Sequence, residues 1–377
     1  MLKLYYTFRN SDMEKNLFEK IAEKPCKWFS PDAEPFKLSG FAFYEKDGVY
    51  RRYPLNPPEE LPVKVEDNAR GSSGGQIRFS AETSQLRLRV KLRETPLHGY
   101  HITTLAEAGF DVYAAKGDGN YVFCGVTKFE PTETEYEATL IQLEEAQKLD
   151  FIINFPLRTP VESMFVGLDE DCVPTAPPPF ESDKRILIYG ASIMHGFCAS
   201  RPGMIMPNII SRRLNREVIN MGVNGSALCE TSVAKSVRMV DDVALLIINT
   251  EGNCPDDKFI SEHLPEFIET YREAHPETPI AVMSFMRESR EYIDDVARRR
   301  RLAKKEAQIK TVESFKASGD KNIYFWDGED FTAGYEDIAF EGHLAGNECT
   351  TDTQHKSDLG FWLMANGVMR RIKEMNI

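Results

Sequence analysis

At 377 residues the chain is longer than one hydrophobic core ordinarily fills, so two domains are expected. Hydrophobic residues make up 42% of it, with 23 Phe and 14 Tyr, which excludes a disordered chain. Asp plus Glu outnumber Lys plus Arg by 59 to 46, and the net charge of −13 argues against nucleic acid or anionic lipid as the main partner.

The start, MLKLYYTFRNSDMEK, lacks the long apolar region and small-residue cleavage site of a secretory signal. No apolar run approaches the ~18 residues needed to cross a membrane. Seven cysteines (Cys26, Cys124, Cys172, Cys198, Cys229, Cys254, Cys349) are scattered without any C-x-x-C spacing. That usage fits a reducing compartment, so a cytoplasmic location is expected, with no metal and no cofactor.

Residues 1–172 read as an N-terminal β domain. Leu86-Arg-Leu-Arg-Val-Lys-Leu92 alternates apolar and basic residues, as a half-buried strand does. Further strands are expected at 76–81, 110–113, 121–126, 136–143, 151–155 and 164–168. Turn signals separate them at Gly71-Ser-Ser-Gly-Gly75 and Lys116-Gly-Asp-Gly-Asn120. Many short strands at this spacing predict an all-β sandwich or jelly roll. The stretch 173–183 contains Val173-Pro-Thr-Ala-Pro-Pro-Pro-Phe180, stiff and extended, and reads as a linker.

From 184 to 377 the period changes. Apolar runs at 186–189, 218–221, 243–248, 280–284 and 323–326 alternate with helical stretches at 202–214, 229–240, 256–274, 289–317 and 357–375. Such alternation predicts a parallel sheet of about five strands covered on both faces. Within the fourth helical stretch, the run Arg298–Arg301 has Asp294 and Asp295 four residues ahead of Arg298 and Arg299. It reads as a solvated, self-paired helix face.

Chemistry is sought just past the strand ends, where an open parallel sheet binds its ligands. After the first strand, Gly190-Ala-Ser192 presents a serine at a Gly-bracketed turn. Three familiar readings of that turn fail on spacing. Met194 stands where a nucleophile elbow needs Gly, Phe197 follows Gly196 where a P-loop needs Lys, and Ser192 interrupts G-x-G. Asn220-Met-Gly-Val-Asn-Gly225 follows the second strand and Asn249-Thr-Glu-Gly-Asn253 the third. A long loop after the fifth ends in Thr351-Asp-Thr-Gln-His355. Standing three apart in the chain, Asp352 could hold the His355 imidazole through one nitrogen while the other takes a proton from Ser192. That is an acyl-transfer set.

These four blocks resemble the SGNH (GDSL-type) hydrolases. The serine block is similar to Gly190-Ala-Ser-Ile193, the glycine block to Val223-Asn-Gly-Ser226, the asparagine block to Glu251-Gly-Asn-Cys254. The histidine block is similar to Asp352-Thr-Gln-His355 with Ser357-Asp-Leu-Gly360. Ala199-Ser-Arg-Pro-Gly203 and Gly109-Phe-Asp-Val-Tyr113 resemble a subgroup with a GxDLY-type β domain in front. The resemblance implies a flavodoxin-like three-layer catalytic domain, with Ser192 as nucleophile, His355 as base and Asp352 as its orienter. It also implies an oxyanion hole from the N–H groups of Ser192 and Gly225 and the side chain of Asn253. Ala191 and Cys254 depart from the family pattern, standing where most relatives carry Asp, and Lys356 replaces a common Pro.

The expected activity is cofactor-free hydrolysis of short-chain esters, acetyl foremost, on a small molecule or oligosaccharide. His195, Arg201, Asn224, Glu251 and Gln354 are the expected substrate contacts. The alternatives are an arylesterase, lysophospholipase or thioesterase, or an inactive glycan-binding relative. The sequence carries no indication of oligomeric state.

Overall fold

The computed structural model of the chain describes residues 24–97, 99–287, 289–331 and 347–377. The first 23 residues of the expected β domain, and most of the loop expected after the fifth parallel strand, lie outside these.

In the N-terminal half, β1 (Cys26–Phe29), β2 (Lys37–Ser39), β3 (Gln76–Leu92), β4 (Asp111–Ala115), β5 (Val122–Val126), β6 (Glu135–Asn154) and β7 (Val161–Asp169) form one antiparallel sheet. Its order is β1-β7-β3-β6-β4-β5, with β2 also paired to β3. The strands expected at 76–81 and 86–92 are a single strand, and so are those at 136–143 and 151–155. Between them, β6 sets residues 143–146 against Ser84 alone. A bulge of that kind kinks a strand without ending it, which is why the polar stretch 144–148 stays extended although it reads as a break. The expected sandwich is therefore one continuous sheet with two long, irregular strands. Phe79, Phe110, Phe151 and Phe155 fill its core.

The C-terminal half alternates strand and helix as expected. Strands β8 (Arg185–Gly190), β9 (Val218–Asn220), β10 (Val243–Asn249), β11 (Ile280–Met283) and β12 (Ile323–Trp326) are all parallel, in the order β12-β11-β10-β8-β9. Counted from the first strand of this domain, that is the flavodoxin-like order 2-1-3-4-5, whose direction of winding reverses between β8 and β10. Near-continuous apolar strands such as Val243-Ala-Leu-Leu-Ile-Ile are what a sheet covered on both faces requires.

Two segments depart from the sequence reading. Residues 43–69, with helices α1 (Tyr44–Asp47) and α2 (Val63–Ala69), are not β structure. Phe43, Tyr53, Leu61, Val65 and Ala69 join the core of the parallel-sheet domain, as do Ile102, Ala106 of α3 (Thr104–Ala108) and Leu157. The linker is also not free-standing. Thr175 exchanges both backbone hydrogen bonds with Ser80 of β3, at 2.8 and 3.0 Å. Phe180 lies under the guanidinium of Arg78, 4.3 Å from its ring centre.

The two signature motifs meet at this seam. Asp111 opens β4 and is fully buried. One carboxylate oxygen accepts from Arg201 (2.7 Å) and from the Gly203 N–H (2.8 Å), the other from Asn154 (2.8 Å). Arg201 also donates to the Tyr113 hydroxyl at 2.6 Å and packs 3.9 Å from the centre of the Phe123 ring. A Cβ on Gly203 would stand 2.6 Å from the Asp111 carboxylate and 2.4 Å from the Tyr113 ring, so only glycine lets the backbone come this close. Removing one partner of a buried ion pair leaves the other charge uncompensated. Asp111→Ala should therefore cost about 3–5 kcal/mol of stability, read from the denaturant midpoint and slope. A loss under about 1 kcal/mol, the worth of an exposed ion pair, would mean that the pair spans the seam without holding it.

Candidate active site

Each block of the site sits at a carboxyl end of the parallel sheet. Gly190 ends β8, and the chain turns at once into α4 (Ser192–His195), a single helical turn capped by Gly196 at φ 98°. Ser192 occupies the first position of that turn, where a backbone N–H has no intrahelical acceptor. Asn253 follows β10, across the winding reversal from Ser192, and the glycine block follows β9. His355 arrives on a closed loop ahead of α6 (Asp358–Glu374), whose N-cap is Ser357. The loop shuts on itself: the Thr351 N–H donates to the His355 carbonyl at 2.8 Å, and Thr353 adopts a left-handed φ of 75°.

The three side chains meet. His355 Nε2 lies 2.9 Å from Ser192 Oγ, and its Nδ1 lies 2.7 Å from Asp352 Oδ2. The other Asp352 oxygen accepts from the His355 N–H (2.7 Å) and the Gln354 N–H (3.2 Å). Burial works to raise the Asp352 carboxyl. The hydrogen bonds from His355 and Gln354 outweigh it and hold the group below the usual carboxylate range. A carboxylate that stays ionised beside Nδ1 keeps the Nδ1–H tautomer and leaves Nε2 facing the serine. The Phe197 ring covers the imidazole edge-on, with centroids 4.9 Å apart, and limits its rotation.

The donors expected at an oxyanion are held from several sides. The Asn253 side-chain carbonyl accepts from the Ala227 N–H at 2.9 Å, which orients the amide and frees Nδ2 to donate elsewhere. Gly225 has φ 69°, with open space where a Cβ would point. The loop leading to it is fastened by the N-terminal half. Tyr53 donates to the Met221 carbonyl (2.7 Å), Arg52 to the Gly222 carbonyl, and Asn68 accepts from the Asn224 N–H (2.8 Å). Sequence reading missed these three residues. They belong to no motif, and nothing in the chain order places 52–68 beside 221–224.

Of the expected substrate contacts, His195 and Asn224 line a cleft of about 530 Å³ whose other walls come from the N-terminal half, among them Asn68, Arg70, Glu94 and Arg158. The His195 ring is fully enclosed. Burial, with Arg52 and Arg158 nearby, holds its pKa well below the ordinary value, so it is neutral. Gln354 is exposed and lines a second groove with Arg290, Arg300 and Lys304. Two expectations are corrected. Arg201 is committed to Asp111 and Tyr113, and is a seam residue. Glu251 is 2% exposed, accepts from the Phe285 N–H (2.9 Å) and Gln308 (2.8 Å), and braces the loop after β10 from behind. The basic run differs from its reading in part. Arg298, Arg299 and Arg300 are exposed, as a solvated face requires, but Asp294 caps α5 (Asp295–Ala317) and pairs with Arg290, while Arg301 is buried between Glu291 and Glu329, 2.6 Å from each.

Neither sequence spacing nor motif suggests a metal site. Nevertheless the fold brings one donor atom each of His101, Cys198, Asp352 and His355 within 4.8 Å of one another.

Comparison with known proteins gives the family. The profile of the GDSL-like lipase/acylhydrolase family matches residues 183–373, and that of GxDLY, the N-terminus of SGNH-hydrolase-type esterases, matches 26–173. No curated protein matches the sequence. A protein assigned as a GDSL-like lipase from Bacteroides ovatus ATCC 8483 shares 25% identity and a TM-score of 0.81, over 93% of this chain and 98% of that one. The salicylyl-acyltransferase SsfX3 of a tetracycline biosynthetic pathway has the same fold at 15% identity and TM-score 0.68, again over 93% and 98%. So does the acetyl xylan esterase Est2A of the rumen bacterium Butyrivibrio proteoclasticus, at 11% identity and TM-score 0.56, over 93% and 98%. With one profile spanning just over half of its 377 residues and the second covering the β domain ahead of it, the chain belongs to the GDSL-like (SGNH) lipase/acylhydrolase family, as an esterase with a GxDLY-type N-terminal domain.

Proposed function

We propose that the protein removes short acyl groups, acetyl foremost, from hydroxyls of a carbohydrate through an acyl-enzyme on Ser192. The Ser192–His355–Asp352 chain, at 2.9 and 2.7 Å, carries this reading. Ser192 Oγ attacks the ester carbonyl as His355 Nε2 takes its proton. The tetrahedral oxyanion is held by the Ser192 and Gly225 N–H groups and Asn253 Nδ2. The intermediate then collapses, and the departing sugar oxygen receives the proton from His355. Water, deprotonated by the same imidazole, attacks the acyl-serine and releases the carboxylic acid.

Two features support a polar leaving group and a small acyl group. The cleft that His195 and Asn224 line carries amide, guanidinium and carboxylate side chains, which suit hydroxyls that must be hydrogen-bonded once their water is displaced. Ile193 and Met194, which follow Ser192 directly, are 2% and 0% exposed and belong to the core, so they offer no wall to a long acyl chain. Phe197 packs against His355. The acetyl xylan esterase of the same fold agrees with this substrate class. An inactive glycan-binding protein has no need of a connected triad.

Ser192→Ala and His355→Ala should each lower ester hydrolysis by about 10⁴-fold or more with the fold intact, and the double variant should be little worse than either alone. Additive losses would show that the two do not act as a unit. Asn253→Ala should lower kcat by about 10²–10³-fold at nearly constant KM, because its donor matters most once the oxygen is charged. A raised KM with kcat intact would make Asn253 a substrate-binding residue. On a panel of acetyl, butyryl and octanoyl esters, kcat/KM should fall steeply with chain length, and acetylated sugars should outrun lysophospholipid. Each buried methylene would be worth about 0.8 kcal/mol to an enzyme with an acyl groove, so a rate climbing to eight carbons would overturn the deacetylase reading.

A further inference from the structure

The cluster beside the triad draws its donors from both halves of the molecule. Cys198 lies three residues past α4, is buried, and holds its sulfur from a left-handed backbone at φ 74°, a costly conformation for a non-glycine residue. His101 comes from the N-terminal half. Its ring meets Phe197 edge-on at 4.8 Å and lies 6.0 Å from the His355 ring. The Thr103 hydroxyl donates to the Ser200 carbonyl at 2.7 Å and ties the two segments together. His101 Nδ1 is shielded from water and has no hydrogen-bond partner among the described residues. A buried ring nitrogen without a partner is an unsatisfied polar group, and a donor atom of the same imidazole stands within 4.8 Å of a thiol, a carboxylate and a second imidazole.

We propose that His101, Cys198, Asp352 and His355 form an inhibitory site for a thiolate-seeking divalent cation, Zn²⁺ above all. The inhibitory part of this proposal rests on the reading of Ser192, His355 and Asp352 as catalytic. Two imidazoles, one thiolate and one carboxylate are a donor set for zinc, whereas Ca²⁺ and Mg²⁺ seek oxygen alone. Four donors around zinc, about 2.0–2.3 Å from the metal, stand roughly 3.3–3.8 Å apart. Donors already within 4.8 Å of one another need draw in by only about 1 Å each to reach that geometry. On binding, the Cys198 thiol gives its proton to solvent and the sulfur bonds the metal. His355 cannot serve both purposes. If the metal takes Nδ1, the Asp352 hydrogen bond is broken; if it takes Nε2, the bond to Ser192 is broken. In either case Asp352 spends its charge on the cation and the serine loses its base. His101 and Cys198 hold no place in the acyl-transfer steps, so they can answer to metal alone.

The test uses the full chain, stripped with EDTA and titrated with Co²⁺ and Zn²⁺. One equivalent of Co²⁺ should give intense tetrahedral visible bands and a thiolate-to-cobalt charge-transfer band in the near ultraviolet, which Zn²⁺ then displaces. The Ser192→Ala protein should give the same spectrum, because Ser192 is not a ligand. This arm therefore stands even if the protein proves to have no esterase activity. In the activity arm, each variant is compared with its own rate in EDTA. Zn²⁺ should suppress the parent at least about tenfold and EDTA should restore it. His101→Gln and Cys198→Ser should each raise the inhibitory zinc concentration by about tenfold or more, since even outer-shell partners are worth about 10–100-fold in metal affinity. A pale octahedral cobalt spectrum without the thiolate band, or equal zinc sensitivity in the parent and both variants, would overturn the proposal.

Discussion

A single buried carboxylate organises the meeting of the two halves. Asp111 is shut away from water, where an ionised group is tolerated only if its lone pairs are met. Asn154 meets it from its own sheet, while Arg201 and the Gly203 N–H meet it from the segment just after Ser192. Satisfying that one group therefore sets the height and orientation of the strand-to-helix connection that presents the serine. The aromatic rings of Tyr113 and Phe123 pack against the same guanidinium, 5.4 and 3.9 Å from their centres.

Seen from this joint, the β domain is part of the site. Arg52, Tyr53 and Asn68 take up the carbonyls of Met221 and Gly222 and the N–H of Asn224, groups a turn would otherwise leave to solvent. A loop tied down in this way holds its remaining N–H groups still, which is what electrostatic preorganisation requires of a donor meeting a developing charge. The same half furnishes most of the polar cleft, so the residues that line it and those proposed for bond breaking lie mainly on different halves of the chain.

Much of this is legible in the sequence. The strand–helix alternation past residue 184 is written in apolar runs of four to six residues bounded by helical periods. The rule that ligands gather at strand ends then picks out Ser192, the 220–225 loop, Asn253 and the 352–355 pair. What is not legible has a common cause. Arg201 and Glu251 are polar residues in motif neighbourhoods, and proximity in sequence cannot say whether a charged group faces substrate or a buried partner. Residues 43–69 carry too little periodicity to reveal that their apolar side belongs to the other half's core. The continuity of β3 and β6 is hidden because a bulge keeps a polar stretch extended, and polar residues in a row otherwise signal a turn. The gathering of His101 and Cys198 near the triad depends on long-range packing, which no local spacing encodes.

The shared core has a consequence for the order in which the molecule is made. Synthesis delivers Phe43, Tyr53, Leu61, Val65 and Ala69 long before Ile186, Ile188 and Met194, the residues they pack among. Until well over a hundred further residues have left the ribosome, the first segment has a sheet beside it but no surface on which to bury its apolar side. An unfinished chain of this kind cannot complete its first domain and then its second, as a row of independent domains does. It must hold a sticky half-formed edge in waiting, and so it depends on the ribosome's pace and on chaperones more than its two-part sequence would suggest.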